Sequence, residues 1–149
     1  MKSPKDRVYR MSVAYALDGL IISYRGWHRG YKDIWKEAKL TYFGKLVAEK
    51  SKEEPVLIFA SRYSNNVLDL GDWLMAHGFR NFAIVMPSRR EYGKLDEESI
   101  AKFKARMINR HRISVYYESN YREYRIIRKR VSGCRVYWVP KPNQVIAVL

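Results

Sequence analysis

The chain has 149 residues, the size of one domain, and 47% of them are hydrophobic, enough for a packed core and too many for a disordered polymer. No apolar run approaches the roughly 20 residues of a membrane span, and a single cysteine, Cys134, excludes a disulfide framework and a thiolate metal cluster. Lys plus Arg outnumber Asp plus Glu by 29 to 15, a formal charge of +14, which points to a polyanionic partner, nucleic acid being the commonest.

The first ten residues, MKSPKDRVYR, are charged and lead into no signal-type apolar segment, so a cytoplasmic, reducing location is expected. Residues 8–15 predict a first strand, ending at Ala16-Leu17-Asp18-Gly19, and residues 20–24 form a second short apolar run. After the loop Arg25-Gly26-Trp27-His28-Arg29-Gly30, Asp33 predicts an N-cap for a helix with Trp35, Ala38, Tyr42 and Leu46 on its apolar face. Pro55 introduces the continuous apolar run 56–60, the signature of a buried parallel strand. Ser64 predicts the cap of a helix carrying Val67, Leu70 and Leu74, which stops at Gly78.

Residues 81–86 predict the next strand, and Asp96 opens a helix with Ile100, Phe103, Met107 and Ile108 on one face. A strand over 113–117 follows. Asn120 then leads into a helix carrying Tyr124, Ile127 and Val131, closed by Gly133. Residues 136–139 predict a strand, and 145–149 a further edge. Residues 100–149 hold twelve Lys or Arg and only two acids, Glu118 and Glu123, so about +10 of the charge sits in the last third. The basic residues of the 120s, Arg122, Arg125, Arg128, Lys129 and Arg130, spread over more than one helix face.

Strands alternating with helices predict a single α/β domain over residues 1–149, with three layers around a mainly parallel sheet in the Rossmann-like manner. Ligands of such sheets bind beyond the carboxyl ends of the strands. Residues 16–19, 61–65, 87–90 and 118–120 are therefore where a site is expected.

Those strand ends resemble the haloacid-dehalogenase (HAD) phosphatases. The family carries Asp-x-Asp-Gly-Thr after its first strand, and this chain reads Ala16-Leu17-Asp18-Gly19-Leu20. Asp18 and Gly19 match, Ala16 stands at the nucleophile position, and Leu20 replaces the usual Thr. Ala60-Ser61-Arg62 resembles the second motif, a Ser or Thr ending an apolar strand. The third motif, a lysine near the start of a later helix, is matched best by Lys102, with Lys104 the alternative. Glu118-Ser119-Asn120 resembles the fourth, an acidic cluster often Asp-Asp. Within the family the likeness is to the 3′-phosphatase domain of bacteriophage-type polynucleotide kinases, on Arg29-Gly30-Tyr31, on Ala60-Ser61-Arg62, and on the basic helix, Gly133-Cys134 turn and last strand.

The resemblance implies a Mg²⁺-dependent phosphomonoesterase acting on a nucleic-acid or nucleotide phosphate, with no large cap domain. Phosphate monoesters hydrolyse extremely slowly unaided, and a carboxylate nucleophile splits the reaction into two easier steps. By resemblance Asp18 is the general acid/base, Ser61 and Lys102 hold phosphate, and Glu118 joins Ala16 and Asp18 at the metal position. Arg29, Arg62 and Arg89 are the expected substrate contacts. An alanine methyl attacks no phosphorus, so the chain as it stands is expected to be inactive. The surviving Asp18, Ser61, lysine and Glu118 favour a single Asp→Ala substitution, and a natural loss of chemistry is the rival origin. The alternative function is then a catalytically dead HAD-fold nucleic-acid-binding protein.

Each feature also has a plainer reading. Asp18-Gly19 suits a hairpin turn, Ser61 a helix cap, Lys102 a solvated helix position, and Glu118 a surface acid. His77 before Gly78 suits a helix C-terminus, and His28, in the loop, is a candidate substrate contact. Tyr24, Trp27 and Tyr31 are candidates for stacking on bases.

Overall fold

The computed structural model describes residues 12–24, 37–62, 67–92 and 96–144. Its main sheet has five strands: β1 (Val13–Ala16), β4 (Val56–Phe59), β5 (Phe82–Val85), β6 (Val115–Glu118) and β7 (Arg135–Trp138). They lie in the order β5-β4-β1-β6-β7, and every pairing is parallel. Renumbered as sheet strands alone, this is the 3-2-1-4-5 order of doubly wound α/β folds. A two-stranded antiparallel ribbon, β2 (Ile22–Ser23) with β3 (Lys39–Leu40), sits beside it.

Burial explains the order. All four residues of β4, Val-Leu-Ile-Phe, are buried, as are Ala14, Tyr15 and Ala16 of β1, so these strands carry helices on both faces. Side chains of full apolar burial stabilise by about 1.5–3 kcal/mol each, which places Ile58, Phe59 and Tyr116 at the centre. β7 is largely exposed, as an edge strand is.

The helices among the described residues are α1 (Tyr42–Ser51), α2 (Val67–Ala76), the four-residue α3 (Arg89–Tyr92), α4 (Glu97–Arg110) and α5 (Tyr121–Arg130). Strand register sorts their faces. Tyr15, Tyr117 and Tyr137 are register partners and stack 5.2 and 5.3 Å apart on the face that Phe43 of α1 covers. Tyr116 and Glu118 point to the opposite face, where Lys104 of α4 and Glu123 of α5 meet them. Helices on both faces make the three layers expected.

Local chemistry sets the helix ends. The Asp96 carboxylate accepts from Ser99 N at 2.7 Å, and Glu97 and Glu98 follow in the first turn, favourable beside the positive helix end. Asn120 Oδ1 accepts from Glu123 N at 3.0 Å, and Arg128, Lys129 and Arg130 fill the last turn of α5. Gly78 and Gly133, both at positive φ, follow α2 and α5 as expected.

The helix expected from Asp33 requires correction. Residues 38–41 are not helical, and α1 begins at Tyr42 with Thr41 as its cap, Oγ1 accepting from Gly44 N at 2.8 Å. The same hydroxyl donates to Leu20 O, tying the helix start to the segment after β1. The buried face is Gly44, Val47, Ala48 and Ser51, whereas Tyr42 and Leu46 are exposed. Asp33 and Trp35, the cap Ser64, residues 8–11 and 145–149 lie outside the described residues. Other strand boundaries move by one or two positions, the last strand running over Arg135–Trp138 and the preceding one over Val115–Glu118. No described helix is long and apolar enough to cross a membrane.

Candidate functional site

The chain leaves β1 to build β4 and β5 on one side, then returns to build β6 and β7 on the other. The strand ends therefore diverge between β1 and β6, the place where doubly wound sheets open a crevice. A cleft of about 630 Å³ lies there, lined by Asp18 and Gly19 after β1, Ser61 and Arg62 after β4, and Ser119 and Asn120 after β6. The two loops are tightly apposed: Gly19 sits at φ +84, and a Cβ on it would stand 2.9 Å from Ser119 Oγ.

Ala16 ends β1 fully buried, paired in register with Phe59. Asp18 is held from two sides, Oδ1 accepting from Tyr24 OH and Oδ2 from Ser61 N, each at 3.0 Å. So Ser61 does meet the aspartate, through its backbone. Arg62 Nη2 donates to Tyr24 OH at 3.1 Å, and its guanidinium lies 5.4 Å from the Tyr24 ring centre. Arg62 Nη1 is buried and finds no acceptor among the described residues.

The lysine at the acidic strand end is Lys104. Its ammonium, fully buried, lies 3.0 Å from Glu118 Oε1 and 2.8 Å from Glu123 Oε1. Lys102 points to the surface and pairs with Glu98 at 2.9 Å. Helical periodicity carried this distinction: Lys104 falls on the stripe Ile100, Lys104, Ile108 at i, i+4, i+8, and Lys102 does not. Glu123 is the site residue that motif reading missed. Its signal was Ile127 one turn later on the inward face of α5.

These groups set one another's charge. Burial opposes the Lys104 ammonium, but Glu118, Glu123 and Tyr116 outweigh it and hold the lysine well above its ordinary pKa. Burial, with Glu118 and Asp18 adding to it against the pull of Lys104, pushes the Glu123 carboxyl up to about 7. Glu123 therefore exchanges its proton within the neutral range, beside an ammonium shared by two acids. Burial likewise raises the Tyr116 hydroxyl and lifts the Cys134 thiol to about 11, which removes it as a nucleophile.

The resemblance implied Mg²⁺ at Ala16, Asp18 and Glu118, and the donor set does not fit that ion. Glu118 Oε1 accepts from Lys104 Nζ and from Tyr116 OH at 2.9 Å, and Oε2 accepts from Ser119 N at 3.0 Å and Asn120 N at 3.2 Å. Four donors fill the lone pairs of one carboxylate. Both Asp18 oxygens hold protein donors, and Ala16 offers a methyl. Among the described residues no group of three or more His, Cys, Asp or Glu is arranged to hold a metal. Mg²⁺ prefers near-octahedral oxygen ligands and would have to displace these bonds.

The remaining expected contacts divide. Arg89 lies exposed in α3, and residues 87–90 are not among the cleft-lining residues. Arg29, His28, Trp27 and Tyr31 lie outside the described residues. His77 takes the expected helix C-terminus, stacked on Trp73 with ring centres 3.8 Å apart. The described cleft lining carries four acids, Asp18, Asp96, Glu97 and Glu123, against Arg62. Each acid meets a donor or cation within the fold: Asp96 caps α4, Glu97 lies 3.9 Å from Arg122, and the other two are held as above.

Comparison of the chain with protein-family models, with curated protein sequences and with solved structures finds no match.

Proposed function

We propose that this domain is a phosphatase-like α/β fold of the HAD type that binds a nucleic-acid end without turning it over. The observation that carries the reading is Arg62 Nη1, a buried guanidinium donor on the cleft with no acceptor among the described residues. Such a group is costly unless a ligand oxygen completes it. A phosphate or base carbonyl oxygen fits, and the charge of +14 favours a polyanion as its carrier. Absence of turnover follows from Ala16, which supplies no nucleophile, and from Glu118, whose oxygens are already filled.

A second reading rests on Asp18 and Ser61, which line the cleft, and on Lys104 and Glu118, which are buried and bond to Glu123, Ser119 and Asn120 of its lining. On that reading the protein is a Mg²⁺-dependent polynucleotide 3′-phosphatase silenced at Ala16 alone. Phosphate release from a 3′-phosphorylated oligonucleotide by Ala16→Asp, with and without Mg²⁺, separates the two. No release under either condition is expected, together with a preference for the phosphorylated end that Arg62→Gln abolishes. Release by Ala16→Asp that depends on Mg²⁺ would select the phosphatase. Equal binding of phosphorylated and unphosphorylated ends would overturn end recognition in the cleft.

A further inference from the structure

The cleft by itself is a poor source of affinity for a polyanion, because its described lining has one arginine against four acids. The neighbouring surface has the opposite character. Tyr121, Tyr124, Arg125 and Arg128 occupy positions i, i+3, i+4 and i+7 of α5 and so share one stripe. Trp138, at the end of the edge strand β7, stands against that stripe, its ring centre 4.8 Å from Tyr121 and 6.4 Å from Tyr124. The guanidinium of Arg125 lies 5.9 Å from the Tyr121 ring centre, and Arg128 Nη1 approaches Tyr124 OH at 3.4 Å.

Two features separate this patch from ordinary surface. Trp138 remains 43% exposed and Tyr121 49%, although each has an aromatic neighbour against which it could have been buried. The one acid of α5, Glu123, is turned inward to Lys104, so the stripe presents cations and ring faces with no carboxylate of its own. The indole is also fixed in place: Trp138 Nε1 donates to Ser119 O at 3.1 Å, and Ser119 lines the cleft. The platform is therefore continuous with the cleft mouth.

We propose that the α5–β7 face is a binding surface for single-stranded nucleic acid, and that it carries the strand to the cleft. This rests on the nucleic-acid reading above and assigns its main contact surface. Unpaired bases stack on Trp138 and Tyr121, while Arg125 and Arg128 meet the phosphates. Stacking on aromatic rings beside a basic track is how single strands are held without sequence preference. A duplex keeps its base faces inside and leaves the rings unused. An acidic polypeptide would meet the arginines but would have no need of a fixed indole.

The test is fluorescence anisotropy with a labelled oligothymidylate of about 15 nucleotides, over a series of salt concentrations, beside a duplex of the same length. The wild-type chain is expected to bind the single strand more tightly than the duplex. Trp138→Ala should weaken single-strand binding by about tenfold or more, and Trp138→Phe should retain most of it. Arg125→Ala with Arg128→Ala should reduce the slope of log affinity on log salt by about 1.4, since each phosphate that a side chain neutralises on a single strand adds about 0.7 to it. Circular dichroism verifies the fold of each variant. If Trp138→Ala misfolds, the exposed arginine pair decides the matter. Unchanged affinity in Trp138→Ala, an unchanged salt slope in the arginine variant, or equal binding of duplex would overturn this surface while leaving nucleic-acid binding in place. No binding of any oligonucleotide by the wild-type chain would overturn the proposed function as well.

Discussion

Replacing Lys104 by Met keeps an unbranched side chain one atom shorter and removes the cation between Glu118 and Glu123. In the native protein the ammonium lies 3.0 and 2.8 Å from the two carboxylates, and all three side chains are buried. Breaking a buried pair by deleting one partner costs about 3–5 kcal/mol, because the remaining charge has no water to turn to. Protonation relieves part of this. The Glu123 carboxyl already sits at about 7 through burial, with Glu118 and Asp18 adding to it, and Lys104 is the group that restrains it. Without Lys104 the folded state holds its protons to still higher pH, while the unfolded chain releases them at the ordinary carboxyl range. Stability of the variant therefore falls as pH rises through that interval. The expected loss is about 3–5 kcal/mol at pH 8, near 10 °C in Tm for a domain of this size, shrinking by half or more at pH 5. Urea unfolding followed by circular dichroism at both pH values measures it, with a constant m-value as the check on two-state behaviour. A loss under about 1 kcal/mol at pH 8, or the same deficit at both pH values, would refute the buried-triad argument.

The raised carboxyl of Glu123 has its own signature. Its folded pKa of about 7 exceeds the ordinary value of 4.5, so the wild-type protein loses up to about 3 kcal/mol of stability as pH rises between the two. Glu123→Gln should lack that component, and its stability relative to wild type should climb from pH 5 to pH 7.5; parallel curves would contradict the shift. Gly44→Ala probes the contact between α1 and the segment after β1, where an added Cβ would run into the Ile21 carbonyl oxygen. A backbone oxygen cannot retreat like a side chain, so a loss of about 1–3 kcal/mol or more is expected from overpacking. On an open helix surface the same change would stabilise by about 1 kcal/mol, so the sign of the shift in Tm decides.

Much of the fold was legible because local rules suffice for it. Pro55 followed by five apolar residues is the signature of a buried strand, and Asp96 and Asn120 stand where carboxylate and amide caps belong. The alternation of strand and helix then implied a parallel sheet, and a parallel sheet implies a site at its strand ends. Asp18 and Ser61, named on that argument, bond to each other on the cleft, whereas Glu118 is buried and holds the Ser119 and Asn120 amides of its lining. Periodicity also held the choice between Lys102 and Lys104, since only Lys104 shares the stripe of Ile100 and Ile108; spacing from the next strand pointed the other way.

Contacts across the chain were a different matter. That Thr41 rather than Asp33 starts α1 depends on the Leu20 carbonyl, 21 residues earlier, which the Thr41 hydroxyl reaches. That Glu118 is saturated depends on Tyr116, Lys104 and two backbone amides converging on one carboxylate, and only this convergence turns a plausible metal ligand into an internal anchor. Trp138 reads in the sequence as one more aromatic of a terminal strand. Its place at the cleft mouth, against Tyr121 and bonded to Ser119, exists because β7 pairs with β6 at the sheet edge. Propensity and periodicity act within a turn or a strand and are written in the residues themselves. Which buried charge meets which, and which ring is left in water, is settled only when distant segments are packed together and desolvation makes each pairing obligatory or costly.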